Sequence, residues 1–183
     1  MAFKDLPGQL FVTDTDYNDN DEVTDLPILA LRDNVGDIRR QIDDATGRRR
    51  TLLFVRSDAS SAAIANGTPV GWSADSAGDQ GWEVTTAFHG SNGARNKPAG
   101  VGIGTITIGY YGWIQSYGDH TAVITNGDDD IADGDNIILS STEGKVDSVA
   151  AGTAPTHTPL GIAVAADVDA SNTVATFINC GPA

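Results

Sequence analysis

The sequence predicts an all-β protein, a compact β-barrel or β-sandwich that follows an extended N-terminal arm carrying one short helix. From residue 47 onward, short apolar runs are separated by Gly, Pro, Asn and Asp at intervals of roughly ten residues, which is the spacing of sandwiches and barrels. The pairs Asn126-Gly127 and Asp133-Gly134 accept positive φ and favour tight turns between strands. The 183 residues are enough for one domain with its own core and an arm.

Residues 1–46 form the predicted arm. The run TDTDYNDNDEVTD is polar and acidic and carries too little apolar surface to fold alone. Further on, Val35, Ile38 and Ile42 recur at intervals of three and four residues behind the capping residues Asp33 and Asn34. This spacing predicts a short amphipathic helix over residues 34–45.

Residues 47–183 form the predicted β-domain, in which 58–67 is either a helical turn or a loop that crosses between strands. The predicted strands cover residues 50–56, 68–73, 81–88, 100–118, 120–125, 135–141, 144–150, 159–166 and 173–179. The stretch GYYGWIQSYGDH (109–120) concentrates aromatic residues between glycines and lies in the longest of these strands. As a strand it places Tyr111, Trp113 and Tyr117 on one face, where they pack in the core or at a subunit contact.

Composition excludes several classes of function. The net charge of −14 repels nucleic acid phosphates, and no apolar run approaches the roughly 20 residues that span a bilayer. The N-terminus carries no apolar signal-peptide region. We therefore expect neither nucleic acid nor membrane as a partner.

Catalytic and metal-binding motifs are also missing from the sequence. The single cysteine and three separated histidines form no zinc pattern, and GxSxG, P-loop and dinucleotide-binding motifs are absent. We expect no enzyme activity, no cofactor and no metal ligands. Two acidic stretches have two open interpretations: their carboxylates are solvated side chains in turns, or they form a loose calcium site. The residues are Asp14, Asp16, Asn18, Asn20 and Asp25 in the first stretch, and Asp128, Asp130, Asp133 and Asp135 in the second.

Four segments in order resemble the layout of a known family. They are GRRRTLLFVRSDASSAAIANGTPVGW, AGVGIGTITIGYYGWIQSYGDHTAVI, IADGDNIILSSTEGKVDSV and PLGIAVAADVDASNTVATFIN, and together they span residues 47–179. This order of a basic strand, a small-residue segment, a GYYGWIQ-like strand and closing hairpins resembles the capsid decoration (head-stabilising, cement) proteins of tailed bacteriophages. Residues 1–46 lie outside the resemblance.

The resemblance implies a homotrimer, made in the host cytoplasm, that sits on the outer surface of an assembled head and cross-links neighbouring copies of the major capsid protein. In that picture a cluster of arginines faces acidic capsid surface, because guanidinium groups pair with carboxylates in a bidentate manner. The cluster consists of Arg39, Arg40, Arg48, Arg49, Arg50 and Arg56.

Two alternatives stay open at the level of sequence. The arginines are equally compatible with solvated side chains that pair with the protein's own carboxylates. The second alternative is a glycan- or host-surface-binding module, such as a head fibre or lectin-like domain, in which exposed aromatic rings stack on sugars. Its rings would be Trp72, Trp82, Tyr111, Trp113 and Tyr117. Exposed rings would favour the glycan-binding module, whereas rings buried in a core or at a subunit contact would exclude it.

Overall fold

A computed structural model describes residues 3–5, 36–43, 46–58, 62–73, 82–88, 97–127, 130–167 and 172–180. Within these residues the protein is all-β, as the sequence predicts, and contains no helix. One sheet takes in all eleven strands of the described residues. The strands are β1 (Phe3–Asp5), β2 (Ile38–Asp43), β3 (Arg49–Ser57), β4 (Pro69–Trp72), β5 (Glu83–Thr85), β6 (Pro98–Gly102), β7 (Tyr111–Ile124), β8 (Asn136–Leu139), β9 (Val146–Val149), β10 (Gly161–Ala163) and β11 (Thr173–Asn179).

The first half of the sheet closes into a small ring. Its strands pair in the order β3-β5-β4-β6-β7, and an additional antiparallel pairing of β3 with β7 joins the two ends. The ring encloses an apolar core, as expected for strands that turn alternate side chains inward. The core residues are Leu53, Val55, Ile64, Val70, Trp72, Val84, Ala99, Ile106 and Ile114.

The second half of the sheet curls around a separate core. Here the order is β7-β11-β10-β8-β9, and a bridge between Thr125 and Val146 brings β9 back beside the end of β7. The enclosed residues are Phe88, Val101, Val123, Ile131, Ile137, Leu139, Val146, Leu160, Ala163, Val174, Ile178 and Cys180. The long strand β7 therefore belongs to both halves of the fold.

A bend in β7 allows one strand to serve both halves. Gly118 has a φ of 99°, a conformation that residues with a Cβ rarely adopt. A Cβ on this residue would overlap the carbonyl oxygen of Arg49 on the neighbouring strand. The buried side chain of Gln115 spans the bend, because its Nε2 donates to the carbonyl oxygens of Gly118 at 2.9 Å and Asp119 at 3.0 Å.

The predicted helix at residues 34–45 is wrong over the described residues 36–43, which instead hold the strand β2. Apolar residues at positions 38 and 42 fit a helical interval of four, but they equally fit the alternation of a strand. Pairing with β3 decides between them, since the register joins Ile38 to Leu53 and Ile42 to Arg49. Residues 34, 35, 44 and 45 lie outside the described residues.

The predicted strand at 100–118 is divided in two by a turn. β6 ends at Gly102, and the chain turns at Gly109, where the amide of Tyr110 donates to the carbonyl of Thr107. β7 then continues through the separately predicted strand at 120–125. In the 58–67 segment, Ile64 forms an isolated bridge with Ile106 across the ring.

Part of the predicted arm contributes strands to the sheet. β1 pairs antiparallel with β2, which in turn pairs with β3 of the β-domain. Residues 6–35, which include the acidic run, lie outside the described residues. The domain division at residue 46 and the role of the arm stay predictions.

Candidate contact surface

Strands β2, β3 and β7 bring arginines and aromatic rings together on one face of the sheet. In the register, Arg39 stands opposite Leu52, Phe54 opposite Trp113, and Arg56 opposite Tyr111. Residues directly opposite each other in antiparallel strands project to the same side. We call this surface the arginine–aromatic face and define it as Arg39, Phe54, Arg56, Tyr111 and Trp113.

Cations lie over rings at two places on the arginine–aromatic face. The Cζ of Arg39 is 4.4 Å from the centroid of the Trp113 ring, and the Cζ of Arg56 is 5.9 Å from that of Tyr111. Phe54 lies between the two pairs, with its centroid 5.1 Å from Trp113 and 6.1 Å from Tyr111. Each cation–π contact contributes about 0.5 to 2 kcal/mol, with the larger value where the cation is desolvated.

Burial is deepest at the Arg39–Trp113 pair. Trp113 is 2% exposed and Arg39 only 7%, an unusual degree of burial for an arginine. The Nε1 of Trp113 is buried and makes no hydrogen bond. The ring is therefore held by packing and by the guanidinium above it, and not by its polar edge.

The other predicted arginines are distributed over both sides of β2 and β3. The Nε of Arg50 donates to Oε1 of Gln41 at 2.6 Å, and Nη1 of Arg48 forms an ion pair with Oδ2 of Asp119 at 3.3 Å. Arg40 and Arg49 are exposed, and alternation along β2 and β3 turns them away from the side that holds Arg39. All six predicted arginines thus lie on β2, β3 or directly before β3.

The aromatic rings of the alternative glycan-binding module lie in different parts of the structure. Trp72 and Trp82 pack against each other at 5.7 Å, with Trp72 buried in the first core. Trp113 is covered by Arg39, so that its face is closed to a sugar in this arrangement. Tyr117 is exposed and packs edge-on against Phe177 at 5.2 Å. Stacking of a glycan on one shared aromatic surface is not supported by these positions.

Within the described residues, no group of three or more His, Cys, Asp or Glu side chains could hold a metal ion, and no helix is long and apolar enough to cross a membrane. Asp135 of the second acidic stretch is buried and accepts hydrogen bonds from the amides of Ala132 and Ala151, each at 2.9 Å. Its carboxylate therefore holds two loops together. The first acidic stretch, Asp128 and His89 lie outside the described residues.

Cys180 is a buried thiol beside the last strand. Burial raises its pKa to about 12, so the reactive thiolate is scarce at neutral pH. Its Sγ lies 3.5 Å from the carbonyl oxygen of Leu160. The side chain fills space in the second core.

His120 lies in β7 just beyond the bend, and its side chain is buried. Burial, and secondarily the charge of Arg50, lower its pKa from 6.5 to about 4, although a hydrogen bond with the backbone of Gly102 opposes this shift. Its Nδ1 accepts a hydrogen bond from the amide of Ala122 at 3.3 Å. The neutral imidazole is therefore the form that the folded protein favours.

We expect His120 to reduce the stability of the protein as the pH falls from about 6.5 to about 4. In this window the unfolded chain binds a proton that the folded protein does not, which favours unfolding by about 2 to 3 kcal/mol at the acidic end. The variant His120→Gln should lose that dependence. Urea unfolding of both proteins at neutral pH and near pH 4.5 measures it; an equal loss of stability in the two proteins would contradict the assignment to His120.

The sequence did not single out two residues that contribute to the arginine–aromatic face and the bend in β7. Phe54, which links the two cation–π pairs, could have been found from the alternation of Leu52, Phe54 and Arg56 along the strand. Gln115 has no comparable signal, because its role depends on the bend at Gly118.

No known family model, curated protein or solved structure matches this chain.

Proposed function

We propose that this protein is a structural virion protein that binds the outer surface of an assembled phage head, cross-links neighbouring major capsid protein subunits and so stabilises the shell. The proposal starts from the resemblance of residues 47–179 to capsid decoration proteins. It includes the homotrimer that the resemblance implies. It requires no cofactor and no catalytic residue.

The observation that carries the proposal is the concentration of positive charge on β2 and β3. Residues 1–56 hold eight of the eleven Lys and Arg against eleven Asp and Glu, whereas residues 57–183 hold three against fourteen. Arg40 and Arg49 are exposed, and Arg39 and Arg56 are fixed against rings. Arg40 and Arg49 lie on one side of β2 and β3, and Arg39 and Arg56 lie on the other. The exposed guanidiniums of Arg40 and Arg49 on a strongly acidic protein favour an acidic protein surface as the partner.

Binding of this kind would stabilise the shell by linkage. A protein that binds across neighbouring subunits binds the assembled lattice and not the separated subunits, so its binding free energy shifts the equilibrium toward assembly. Opposite charges also speed the encounter and set the orientation of docking. The arginines then orient the protein on the shell, and the two packed cores provide a rigid body that links the subunits.

A matched pair of charge-reversal variants tests the proposal. Arg40→Glu/Arg49→Glu reverses two exposed charges at the proposed contact without disturbing the buried Arg39. Lys97→Glu/Lys145→Glu makes the same change in net charge elsewhere on the protein. Binding is measured by co-sedimentation with mature heads assembled without this chain from the phage that encodes it. We expect the arginine variant to bind at least about tenfold more weakly than the wild type and the lysine variant to bind nearly as well.

Two outcomes would contradict the proposal. Heads that bind no wild-type protein would remove capsid binding altogether. Equal weakening by both variants would show that total charge matters and that β2 and β3 have no special part in the contact.

A further inference from the structure

The sequence contains three Asn-Gly pairs, and the fold places two of them in different backbone environments. The pairs are Asn66-Gly67, Asn92-Gly93 and Asn126-Gly127. Asparagine is a chemically labile residue, and it is most labile before glycine, because a residue without a Cβ leaves the following backbone nitrogen open to the asparagine side chain. Asn92 and Gly93 lie outside the described residues, so the structure compares Asn66 with Asn126.

The backbone of Gly67 is held between β6 and β7. Its amide donates to the carbonyl oxygen of Gly102 at 2.9 Å, and its carbonyl accepts a hydrogen bond from the amide of Ile124. Gly67 is buried, and a Cβ there would overlap the carbonyl oxygen of Ala122. Asn66 itself is exposed, but the backbone nitrogen that its side chain would have to meet is fixed by these contacts.

The amide of Gly127 is not held in this way. Among the residues that the structure describes, none accepts a hydrogen bond from it. Asn126 and Gly127 are both half-buried, and a Cβ on Gly127 would meet only the end of the Asn172 side chain, at 3.3 Å. The chain is anchored just before this point, since the amide of Asn126 donates to the carbonyl of Val146 at 3.1 Å. The backbone nitrogen after Asn126 is therefore open, whereas the one after Asn66 is bonded.

We propose that Asn126 is a site of spontaneous deamidation in the folded protein. The deprotonated amide nitrogen of Gly127 attacks Cγ of Asn126 and forms a new C–N bond, the bond from Cγ to Nδ2 breaks, and the side-chain amide leaves as ammonia with the proton that the Gly127 nitrogen gave up. Water then opens the resulting succinimide ring at either of its carbonyl carbons, which gives aspartate or isoaspartate. The net reaction consumes one water and releases one ammonia. The inference does not rest on the proposed function.

Deamidation at Asn126 would alter the junction between β7 and β9. On one side of this residue, Thr125 bridges to Val146, and on the other side Ile131 bridges to Asp167 and is buried in the second core. Isoaspartate carries the main chain through the former side chain and so lengthens it by one methylene group between these two anchors. Aspartate adds only a negative charge. We therefore expect the isoaspartate form to weaken the closure of the second half of the sheet.

Peptide mapping by mass spectrometry tests the site. The full chain is incubated at mildly alkaline pH, both folded and in concentrated urea, and conversion at each Asn-Gly pair is followed with time. Urea gives the rate of each pair without structure, so the ratio of the folded to the unfolded rate measures the effect of the fold alone. We expect this ratio to be about tenfold larger at Asn126 than at Asn66, because only Gly67 must lose a hydrogen bond and leave a buried position. A ratio at Asn126 no larger than that at Asn66 would overturn the inference.

A second test measures the consequence for stability. Asn126→Gln is the control, because the longer glutamine side chain forms the corresponding ring more slowly. After the same incubation, the wild type should unfold at a lower urea concentration than before, whereas Asn126→Gln should keep its own midpoint. Freshly prepared Asn126→Asp gives the effect of the charge alone, and we expect its midpoint to lie closer to that of the unaged wild type. An equal loss by the wild type and Asn126→Gln on incubation would contradict the assignment to Asn126.

Discussion

Replacement of Gly118 by alanine is expected to lower the free energy of unfolding by about 4 kcal/mol. The left-handed backbone at this position contributes about 1 to 2 kcal/mol for any residue with a Cβ. The remainder comes from overlap of the new methyl group with the carbonyl oxygen of Arg49, which can move only if β3 moves with it. Since β7 belongs to both halves of the fold, the strain reaches both cores.

Gly134→Ala is the matched control for this change. Gly134 has a similar φ of 91°, but a Cβ there meets nothing within 4 Å. We expect it to lower stability by about 1 to 2 kcal/mol, the backbone contribution alone. Denaturant unfolding of the two variants gives the difference. Equal losses would show that the bend at Gly118 tolerates a side chain and that the close approach of β3 is not rigid.

The second large effect is expected at Trp113. Trp113→Ala should lower the free energy of unfolding by about 4 kcal/mol, because the change leaves a cavity beside Leu52 and Phe54 and removes the ring beneath Arg39. The guanidinium would then be partly buried without its aromatic partner. Chemical unfolding of the purified variant measures the loss, and a decrease of about 1 kcal/mol or less would contradict the packing described for this face.

The variant Trp113→Phe distinguishes the contribution of the aromatic ring to stability from that of the indole nitrogen. Phenylalanine keeps an aromatic surface under Arg39, and no hydrogen bond is lost because the Nε1 of Trp113 has no partner. We expect a decrease of about 1 to 2 kcal/mol, from the smaller ring alone. A loss as large as that of Trp113→Ala would indicate that the indole nitrogen contributes to stability.

The sequence was informative about the fold class and most strand positions, because both depend on local patterns. Alternation and turn residues located β3, β8 and β11 to within two residues at each end. The errors fall where a distant partner decides the conformation. At Ile38 and Ile42 both helix and strand satisfy the local pattern, and only the pairing with β3 favours the strand. At residues 103–110 the chain turns because Ile106 bridges to Ile64, which no local pattern contains.

The sequence predicted individual residues of the candidate surface but not their arrangement on one face. The sequence singled out both the arginines and the aromatic residues, but it assigned the arginines to a capsid contact and Trp113 to the core or a subunit contact. Arg39 and Trp113 lie on one face because the register sets Arg39 opposite Leu52 and Phe54 opposite Trp113. That register passes through a bulge between Thr51 and Leu52, and a shift by one residue would have turned the side chains to opposite faces.

The most direct test of the proposed function is the temperature at which DNA escapes from mature heads, measured with a DNA-binding dye, with and without saturating protein. Heads assembled without this chain are the substrate, and Arg40→Glu/Arg49→Glu is the control protein. We predict that the wild-type protein raises the release temperature and that the control raises it less at the same concentration, because fewer copies are bound. Release at an unchanged temperature in the presence of wild-type protein would contradict the proposal that it cross-links and stabilises the shell.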